Sequence, residues 1–270
     1  MAGIQPRYIS HNEVAELLTW PLVTEAVEEA LKATGQTQYD PAKPLQAYAL
    51  QPARSITPCG GDGSKLFMCM PGFVGNYKLP ATTADSQNKN TIACKLVTSF
   101  ASNQNLKPPV PNVLANILLF DNLTGQLQCI MDGTQITAWR TAAASIVATK
   151  YLYFQRFAEG IRKPIKLAVI GCGVQGESHA LGMCKTYNVI DVYLFNRTKS
   201  KAEQLALKLQ AEFPNTLQIH VSNTPEEAVQ QADVICVGTF SPTALINYSM
   251  LKEADIHINS KYLFYYFIKI

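Results

Sequence analysis

Residues 166–176 (KLAVIGCGVQG) constrain what this chain can fold into more than any other stretch of its sequence. The first five residues form a continuous apolar run, which is typical of a strand buried in a parallel sheet. A G-x-G-x-x-G turn follows and leads into residues of helical character, as in the phosphate-binding turn of a Rossmann-type domain. A helix N-terminus at such a turn offers backbone N–H groups and a partial positive charge to phosphates. The alternative is a tight turn without a ligand. The expected cofactor contacts are Gly171, Gly173, Val174, Gln175 and Gly176.

The rest of the second half alternates between strand-like and helix-like segments. We expect strands over residues 166–170, 191–196, 217–221, 233–237 and 255–259, and helices over 174–187, 200–213 and 224–231. This βαβ alternation predicts a parallel sheet with right-handed crossovers, and therefore an α/β fold.

The first half has a different texture, with helices followed by short β-like runs. Ser10 and Glu13 fit a capping box, which predicts a helix to about residue 19, and Pro21 opens a second helix that ends at Gly35. We expect β-runs over residues 45–50, 65–70, 91–100, 116–120 and 126–131, a hairpin loop at 121–125, and a polar loop at 81–90. An Ala-rich helix over residues 136–152 follows. These patterns predict an α+β domain over residues 1–145, a Rossmann domain over 146–260 and an apolar tail over 261–270.

Composition narrows the class of protein. The 270 residues are 47% hydrophobic and 16% charged, which is typical of a globular chain, and the net charge of +3 gives no basic arm for a nucleic acid. Seven cysteines without a C-x-x-C pair predict reduced thiols, and a start without an apolar signal segment predicts a cytoplasmic protein. No apolar run is long enough for a membrane helix, and no histidine has partners at metal-ligand spacing.

The end of the second expected strand indicates which cofactor is preferred. An NAD site places an acidic residue there to accept from the ribose 2′-hydroxyl, whereas this chain has Asn196, Arg197 and Thr198. A guanidinium can hold a 2′-phosphate bidentately, so NADP(H) is favoured over NAD(H). The alternative is that Arg197 lies in a solvated loop without a ligand.

Three basic residues of the first half are candidates for binding an anion. Lys95 interrupts a β-run, so it faces either a cavity or an open sheet face. Arg140 lies in an Ala/Thr-rich helix, where we expect a buried-facing side chain that meets a ligand anion, Asp132 or the C-terminus of a neighbouring helix. Arg54 lies in a β-like segment and is the weakest candidate on sequence alone.

The segment over residues 131–143 (MDGTQITAWRTAA), taken with residues 95–98 (KLVT) and the glycine turn, resembles the ornithine cyclodeaminase/mu-crystallin family. The similarity extends from the first helices to about residue 260. Residues 196–198 (NRT) and 51–54 (QPAR) are more similar to the mu-crystallin branch than to the bacterial cyclodeaminases. The resemblance implies a homodimer, in which the first domain binds the substrate and forms the dimer contact.

The resemblance also implies roles for particular residues. Arg54, Lys95 and Arg140 match the family positions that bind a substrate carboxylate, and Thr141 matches a cofactor phosphate contact. His179 matches a histidine near the cofactor, although packing or surface exposure explains it equally well.

The chain departs from the family after residue 259. Relatives continue with a Gly-rich loop and an acidic residue proposed as the catalytic acid/base, whereas residues 260–270 read SKYLFYYFIKI. We therefore name no catalytic residue, and expect an incomplete nicotinamide half-site and impaired activity from a chain that ends in a truncated or read-through sequence. The apolar tail also predicts a tendency to aggregate.

Three functions fit these observations. The leading hypothesis is NADPH-dependent reduction of small cyclic ketimines, because the NADP-type turn accompanies the mu-crystallin-like segments. The second is a cyclodeaminase that releases ammonia from ornithine with NAD. The third is a non-enzymatic protein that binds NADPH and a thyroid-hormone-type ligand, or an inert isoform.

Overall fold

The structure, a computed structural model, describes residues 5–35, 46–78, 87–157, 163–239, 241, 243–253, 255–260 and the backbone of 268–269. Two compact units, Met1–Thr137 and Ala138–Ile270, divide the chain. The division lies inside a long helix, α3 (Thr134–Leu152), which also contains the expected boundary between residues 145 and 146.

The first unit consists of a mixed sheet with two helices. Its elements are β1 (Arg7–Ile9), α1 (His11–Leu17), α2 (Trp20–Thr34), β2 (Tyr48–Leu50), β3 (Ser55–Pro58), β4 (Lys65–Tyr77), β5 (Lys89–Phe100), β6 (Val113–Phe120) and β7 (Leu127–Asp132). The strand order is β1-β7-β6-β5-β4-β2, and β3 also pairs with β4. All pairs are antiparallel except β1 with β7. The expected hairpin between β6 and β7 is confirmed.

Local signals define the starts and ends of the N-terminal helices. Ser10 Oγ accepts from the Glu13 N–H at 3.4 Å, and Glu13 Oε2 accepts from the Ser10 N–H at 2.8 Å, which confirms the capping box. Thr19 caps α2 and Pro21 lies in its first turn. Gly35 follows its last residue, as predicted.

One face of the sheet carries the core of the first unit. Val97, Ala115 and Cys129 are buried on neighbouring strands of this face. The chain enters α3 close against it, because a Cβ on Gly133 would lie 3.0 Å from Ile117 Cγ1. Asp132 Oδ1 accepts from the Thr134 N–H at 3.0 Å, so the last residue of β7 caps the first turn of α3.

Three strand features were not predicted from the sequence. The strands β1 and β3 are short, and an alternation of apolar and polar residues over three or four positions is too brief to recognise. The strand β4 was expected to end at Met70, but it continues to Tyr77 through Pro71 and Gly72. These two residues lie between the part of β4 that pairs with β3 and the part that pairs with β2. The backbone N–H that Pro71 lacks therefore removes no hydrogen bond to either of these strands.

The second unit is the predicted Rossmann-type domain. After α3 it contains β8 (Ile165–Ile170), α4 (Val174–Thr186), β9 (Val189–Phe195), α5 (Lys199–Glu212), β10 (Gln218–Val221), α6 (Pro225–Val229), β11 (Val234–Val237), β12 (Ile246–Asn247), β13 (His257–Ser260) and β14 (Ile268–Lys269). Five strands form a parallel sheet in the order β10-β9-β8-β11-β13. The order reverses between β8 and β11, and ligands of such sheets bind outside the carboxyl ends of the strands at this point.

The centre of the parallel sheet is fully apolar. Residues 167–170 of β8 expose no surface, and neither do Val234 and Ile235 of β11. A strand buried on both faces needs this continuous apolar composition, which is why the sequence revealed β8 so clearly. The end of β8 is therefore held rigidly where the glycine turn begins.

The C-terminal tail is described only in part. The backbone of β14 pairs in parallel with β12 through Ile246 and Ile268. Residues 261–267 and 270 lie outside the described residues, as do residues 81–86 of the expected polar loop.

A chain of hydrogen bonds links β13 to α3 inside the second unit. His257 Nε2 and Asn259 Oδ1 are 3.1 Å apart, and Asn259 Nδ2 donates to Thr149 Oγ1 at 3.0 Å. Thr149 Oγ1 then donates to the Ser145 carbonyl at 2.8 Å. These polar groups are satisfied by each other, which burial requires.

This burial makes stability depend on pH. Desolvation is the main cause that lowers the pKa of His257, and the charge of Arg156 adds to it while the bond to Asn259 opposes it. In the unfolded chain His257 takes up a proton near pH 6.5, whereas in the folded chain it does so only at a lower pH. His257 therefore lowers the free energy of unfolding as the pH falls below that value. We expect the free energy of unfolding, measured by urea titration, to fall less steeply with acidification in His257→Gln than in the unmodified protein. Parallel curves for the two proteins would contradict the assignment.

Candidate dinucleotide-binding site

Two of the three glycines in the turn lie where the backbone leaves little room for a side chain. Gly171 has a φ of +95°, and a Cβ there would meet the Gly238 carbonyl carbon at 3.1 Å. A Cβ on Gly176 would overlap the Gly171 carbonyl oxygen and lie 3.2 Å from Val169 Cγ1. Gly176 is therefore required by the packing of β8 against α4, and Gly171 by its positive φ and its contact with the residue that follows β11.

The middle glycine, Gly173, is not required by packing. A Cβ on Gly173 would meet nothing within 4 Å, and its φ of −83° suits any residue. Gly173 is the N-cap of α4, and no side chain caps the helix there. Open space in front of an uncapped helix N-terminus fits a pyrophosphate that approaches the backbone. In the same turn, Gln175 Oε1 is buried and has no hydrogen-bond partner within the described part of the chain.

Gly238 packs against the glycine turn and was not predicted from the sequence. It follows β11, and its N–H donates to the Ile170 carbonyl at 2.9 Å. A Cβ on Gly238 would lie 3.2 Å from the Gly176 nitrogen. The signal in the sequence was a glycine directly after the buried run at residues 234–237, at the strand that flanks the reversal of strand order.

Asn196 connects the phosphate-binding turn to the loop that follows β9. Its Oδ1 accepts from the Cys172 N–H at 3.0 Å, and its Nδ2 donates to the Thr198 carbonyl at 2.9 Å. Both ends of the side-chain amide thus hold the chain's own backbone. In this structure Asn196 positions the loop that carries Arg197.

The basic side chains of this loop lie at the surface. Arg197, Thr198 and Lys199 are all exposed, next to the carboxyl end of β9. Lys199 Nζ donates to Asn223 Oδ1 at 2.9 Å. Arg197 therefore lies just after the carboxyl end of β9, where a Rossmann domain recognises the adenosine ribose.

His179 lies inside the second unit, which decides between the packing and exposure readings in favour of packing. Its Nδ1 is 2.7 Å from the Gln175 carbonyl, so this nitrogen carries the proton. Ser145 Oγ, on α3, then donates to His179 Nε2 at 3.0 Å. His179 thus joins α3 to the first turns of α4.

The three candidate substrate cations are placed differently from one another. Lys95 is half-buried, and its Nζ donates to Thr137 Oγ1 at 3.4 Å, so it faces α3 rather than an open sheet face. Arg54 is exposed and lies in the irregular residues before β3, so its predicted β-like segment is wrong. Thr141 is half-buried on α3.

Arg140 corrects another expectation, because its side chain is exposed rather than buried-facing. Ala138 and Ala142, four residues apart, are both buried and define the packed face of α3. Arg140, two residues after Ala138, lies about 200° around the helix from it and therefore on the opposite side from the packed face. Asp132, the alternative partner considered for Arg140, contacts His11 Nδ1 at 3.1 Å and the first turn of α3.

Across the described residues, no group of three or more His, Cys, Asp or Glu side chains could hold a metal ion. No helix in that part of the chain combines the length and apolarity needed to cross a bilayer.

Comparison with known proteins agrees with this geometry. The family model of the ornithine cyclodeaminase/mu-crystallin family matches residues 72–261. The chain belongs to this family. It is 30% identical over 259 residues to the ketimine reductase mu-crystallin of Rattus norvegicus, covering 94% of this chain and 70% of the relative. It is 29% identical over 176 residues to a Δ1-pyrroline-2-carboxylate reductase of Bacillus cereus, covering 65% of this chain and 50% of the relative.

A solved structure is similar over nearly the whole chain. The Δ1-pyrroline-2-carboxylate reductase of Thermococcus litoralis, in complex with NADH and L-proline, superposes with a TM-score of 0.74 at 26% identity. The match covers 94% of this chain and 68% of that structure. These relatives are oxidoreductases that act on C=N bonds. The expected family and the α/β fold are confirmed.

Proposed function

We propose that this protein reduces small cyclic ketimines that carry a carboxylate, with NADPH as the preferred reductant. One observation carries the proposal: a glycine turn open only at Gly173, within a chain 30% identical to a ketimine reductase over 94% of its length. When bound, reduced nicotinamide supplies a hydride to the carbon of a C=N bond. Two of the relatives are Δ1-pyrroline-2-carboxylate reductases, which favours Δ1-pyrroline-2-carboxylate as a substrate.

The residues of the second unit would hold the cofactor. Backbone N–H groups at Gly173, Val174 and Gln175 begin α4 and would bind the pyrophosphate. Arg197 would pair with the 2′-phosphate, in a loop positioned by Asn196 and Thr198. We assign Thr141 a phosphate contact on the family resemblance. The preference for NADPH rests on Arg197, because the Thermococcus litoralis relative holds NADH.

The cations of the first half would bind the substrate. We assign the substrate carboxylate to Lys95, Arg140 and Arg54. A partly buried ammonium such as that of Lys95 binds a carboxylate more strongly than an exposed one, because less of its charge is screened by water. Thr137 Oγ1, which accepts from Lys95 Nζ, would orient the ammonium.

Replacing Lys95 by methionine tests this assignment. We expect the KM for Δ1-pyrroline-2-carboxylate to rise about 10- to 100-fold, as the loss of a charge-assisted hydrogen bond predicts. Lys65→Met is the matched control, because Lys65 is an exposed cation on the neighbouring strand and its loss should leave the KM unchanged. Equal KM values in Lys95→Met and the unmodified protein would remove Lys95 from the substrate site.

The proposed activity is tested by following NADPH and NADH oxidation with Δ1-pyrroline-2-carboxylate and identifying the product. NADPH consumption with matching formation of proline supports the proposal. Release of ammonia from ornithine without net cofactor consumption would instead support a cyclodeaminase. Cofactor binding without either reaction would support a ligand-binding protein.

We also propose that the protein is a cytoplasmic homodimer. Seven cysteines that form no disulfide fit a reducing compartment. The family resemblance assigns the dimer contact to the first unit. Light scattering of the purified chain measures the assembly directly, and a monomer at working concentration would contradict it.

A further inference from the structure

Two cysteines on neighbouring strands of the first unit bring their sulfur atoms into contact. Cys69 lies in β4 opposite Leu96, and Cys94 lies in β5 opposite Pro71, so the cysteines are diagonal neighbours on one sheet face. Their Sγ atoms are 3.4 Å apart and both residues are half-buried. A disulfide bond is about 2.05 Å long, so the two sulfur atoms must move closer together from this contact before the bond can form.

The other cysteines do not share these properties. Cys59 is exposed, and Cys129 is buried. Burial raises the pKa of Cys172, Cys184 and Cys236 to about 12, which keeps each of them in the unreactive thiol form.

Within the pair, the two thiols have different roles. Burial is the main cause that raises the pKa of Cys94, and the neighbouring Cys69 adds to it, so Cys94 is held in the unreactive thiol form. That leaves Cys69 as the thiol of the pair to react first with an electrophile.

We propose that Cys69 and Cys94 form a dithiol that peroxides oxidise to an intrachain disulfide and that small thiols reduce again. The Cys69 thiolate attacks one oxygen of hydrogen peroxide, so that an S–O bond forms, the O–O bond breaks and hydroxide leaves. Cys94 loses its proton and its sulfur attacks Cys69, so that the S–S bond forms while the S–O bond breaks. Overall the two thiols lose two electrons and two protons, and one peroxide becomes two waters.

The cross-link would connect the strand that carries Lys95 to its neighbour. Lys95 directly follows Cys94 and points to the opposite face of β5. The disulfide would join two cysteines that lie 25 positions apart in the chain. This modification site does not depend on the proposed reductase activity.

Peptide mapping of the full-length protein tests the proposal. The purified chain is treated with hydrogen peroxide, its remaining thiols are blocked with N-ethylmaleimide, and it is digested without a reductant for mass spectrometry. We expect a peptide pair linked through Cys69 and Cys94 whose mass is lower by two hydrogen atoms than the sum of the two reduced peptides, and we expect dithiothreitol to separate the pair. Recovery of both cysteines as maleimide adducts under conditions that oxidise exposed Cys59 would overturn the proposal.

Variants separate the two steps. In Cys94→Ser we expect a sulfenic acid at Cys69 that dimedone labels, and in Cys69→Ser we expect no cross-link at Cys94. Cys129→Ser is the matched control, because this buried thiol lies outside the pair and its loss should leave the cross-link intact. A cross-link from Cys69 to a third cysteine in the unmodified protein would also overturn the proposal, and that map needs no variant to fold.

Discussion

Gly176→Ala is expected to weaken dinucleotide binding strongly and to destabilise the second unit. The new methyl group would overlap the Gly171 carbonyl oxygen, so β8 and α4 must move apart. Overpacking of this kind costs about 1–3 kcal/mol of unfolding free energy. A displaced turn misplaces the N–H groups that hold the pyrophosphate, and we expect the Kd for NADPH to rise about 100-fold. Fluorescence titration and urea unfolding measure the two effects.

Gly173→Ala is the matched variant that separates binding from folding. A Cβ at this position meets no protein atom within 4 Å, so the stability should stay unchanged. The same methyl group fills the space in which the backbone would meet a pyrophosphate, and we expect about a tenfold rise in the Kd for NADPH, near the energy of one hydrogen bond. Unchanged binding in Gly173→Ala would show that the turn does not hold a dinucleotide.

Arg197→Asp is expected to reverse the cofactor preference. A carboxylate repels a 2′-phosphate and accepts from a ribose 2′-hydroxyl, as the acidic residue of an NAD site does. The loss of a charge-assisted pair predicts about a 10- to 100-fold rise in the KM for NADPH, with the KM for NADH lowered or unchanged. Steady-state kinetics with both cofactors measure this directly.

Two further variants make the Arg197 result specific. Arg197→Gln removes the charge without repulsion and should give an intermediate preference, and Arg197→Lys should retain a preference for NADPH. All three side chains lie at an exposed position, so folding should not change. An NADPH/NADH ratio that is the same in all variants would place the specificity elsewhere.

The second unit could be predicted closely because each of its local signals agrees with the global fold. The apolar run of β8 is needed by a strand covered on both faces, and the glycines of the turn are needed by contacts that a Cβ would prevent. The expected cofactor contact of Asn196 stays a prediction, and the structure adds that the Asn196 amide bonds to the backbone of Cys172 and Thr198. Side-chain partners of this kind depend on tertiary geometry that residue types do not encode.

The first unit was harder to predict, for physical reasons that particular residues illustrate. The strand β4 passes through Pro71 and Gly72, which normally end a strand, because a gap between β3 and β2 spares their backbone groups. The exposure of Arg140 depends on which face of α3 packs, and an Ala-rich helix has little hydrophobic asymmetry to indicate that face. The pairing of Lys95 with Thr137 joins residues far apart in the chain.

Transfer of deuterium from the cofactor to the product tests the central claim most directly. The protein is incubated with Δ1-pyrroline-2-carboxylate and NADPH deuterated at C4, in separate reactions for the two faces of the ring. Reduction of the C=N bond predicts proline that carries deuterium at C2 from one of the two labelled cofactors and none from the other. Proline without label from either cofactor, or no proline at all, would contradict the assignment of this chain as an NADPH-dependent ketimine reductase.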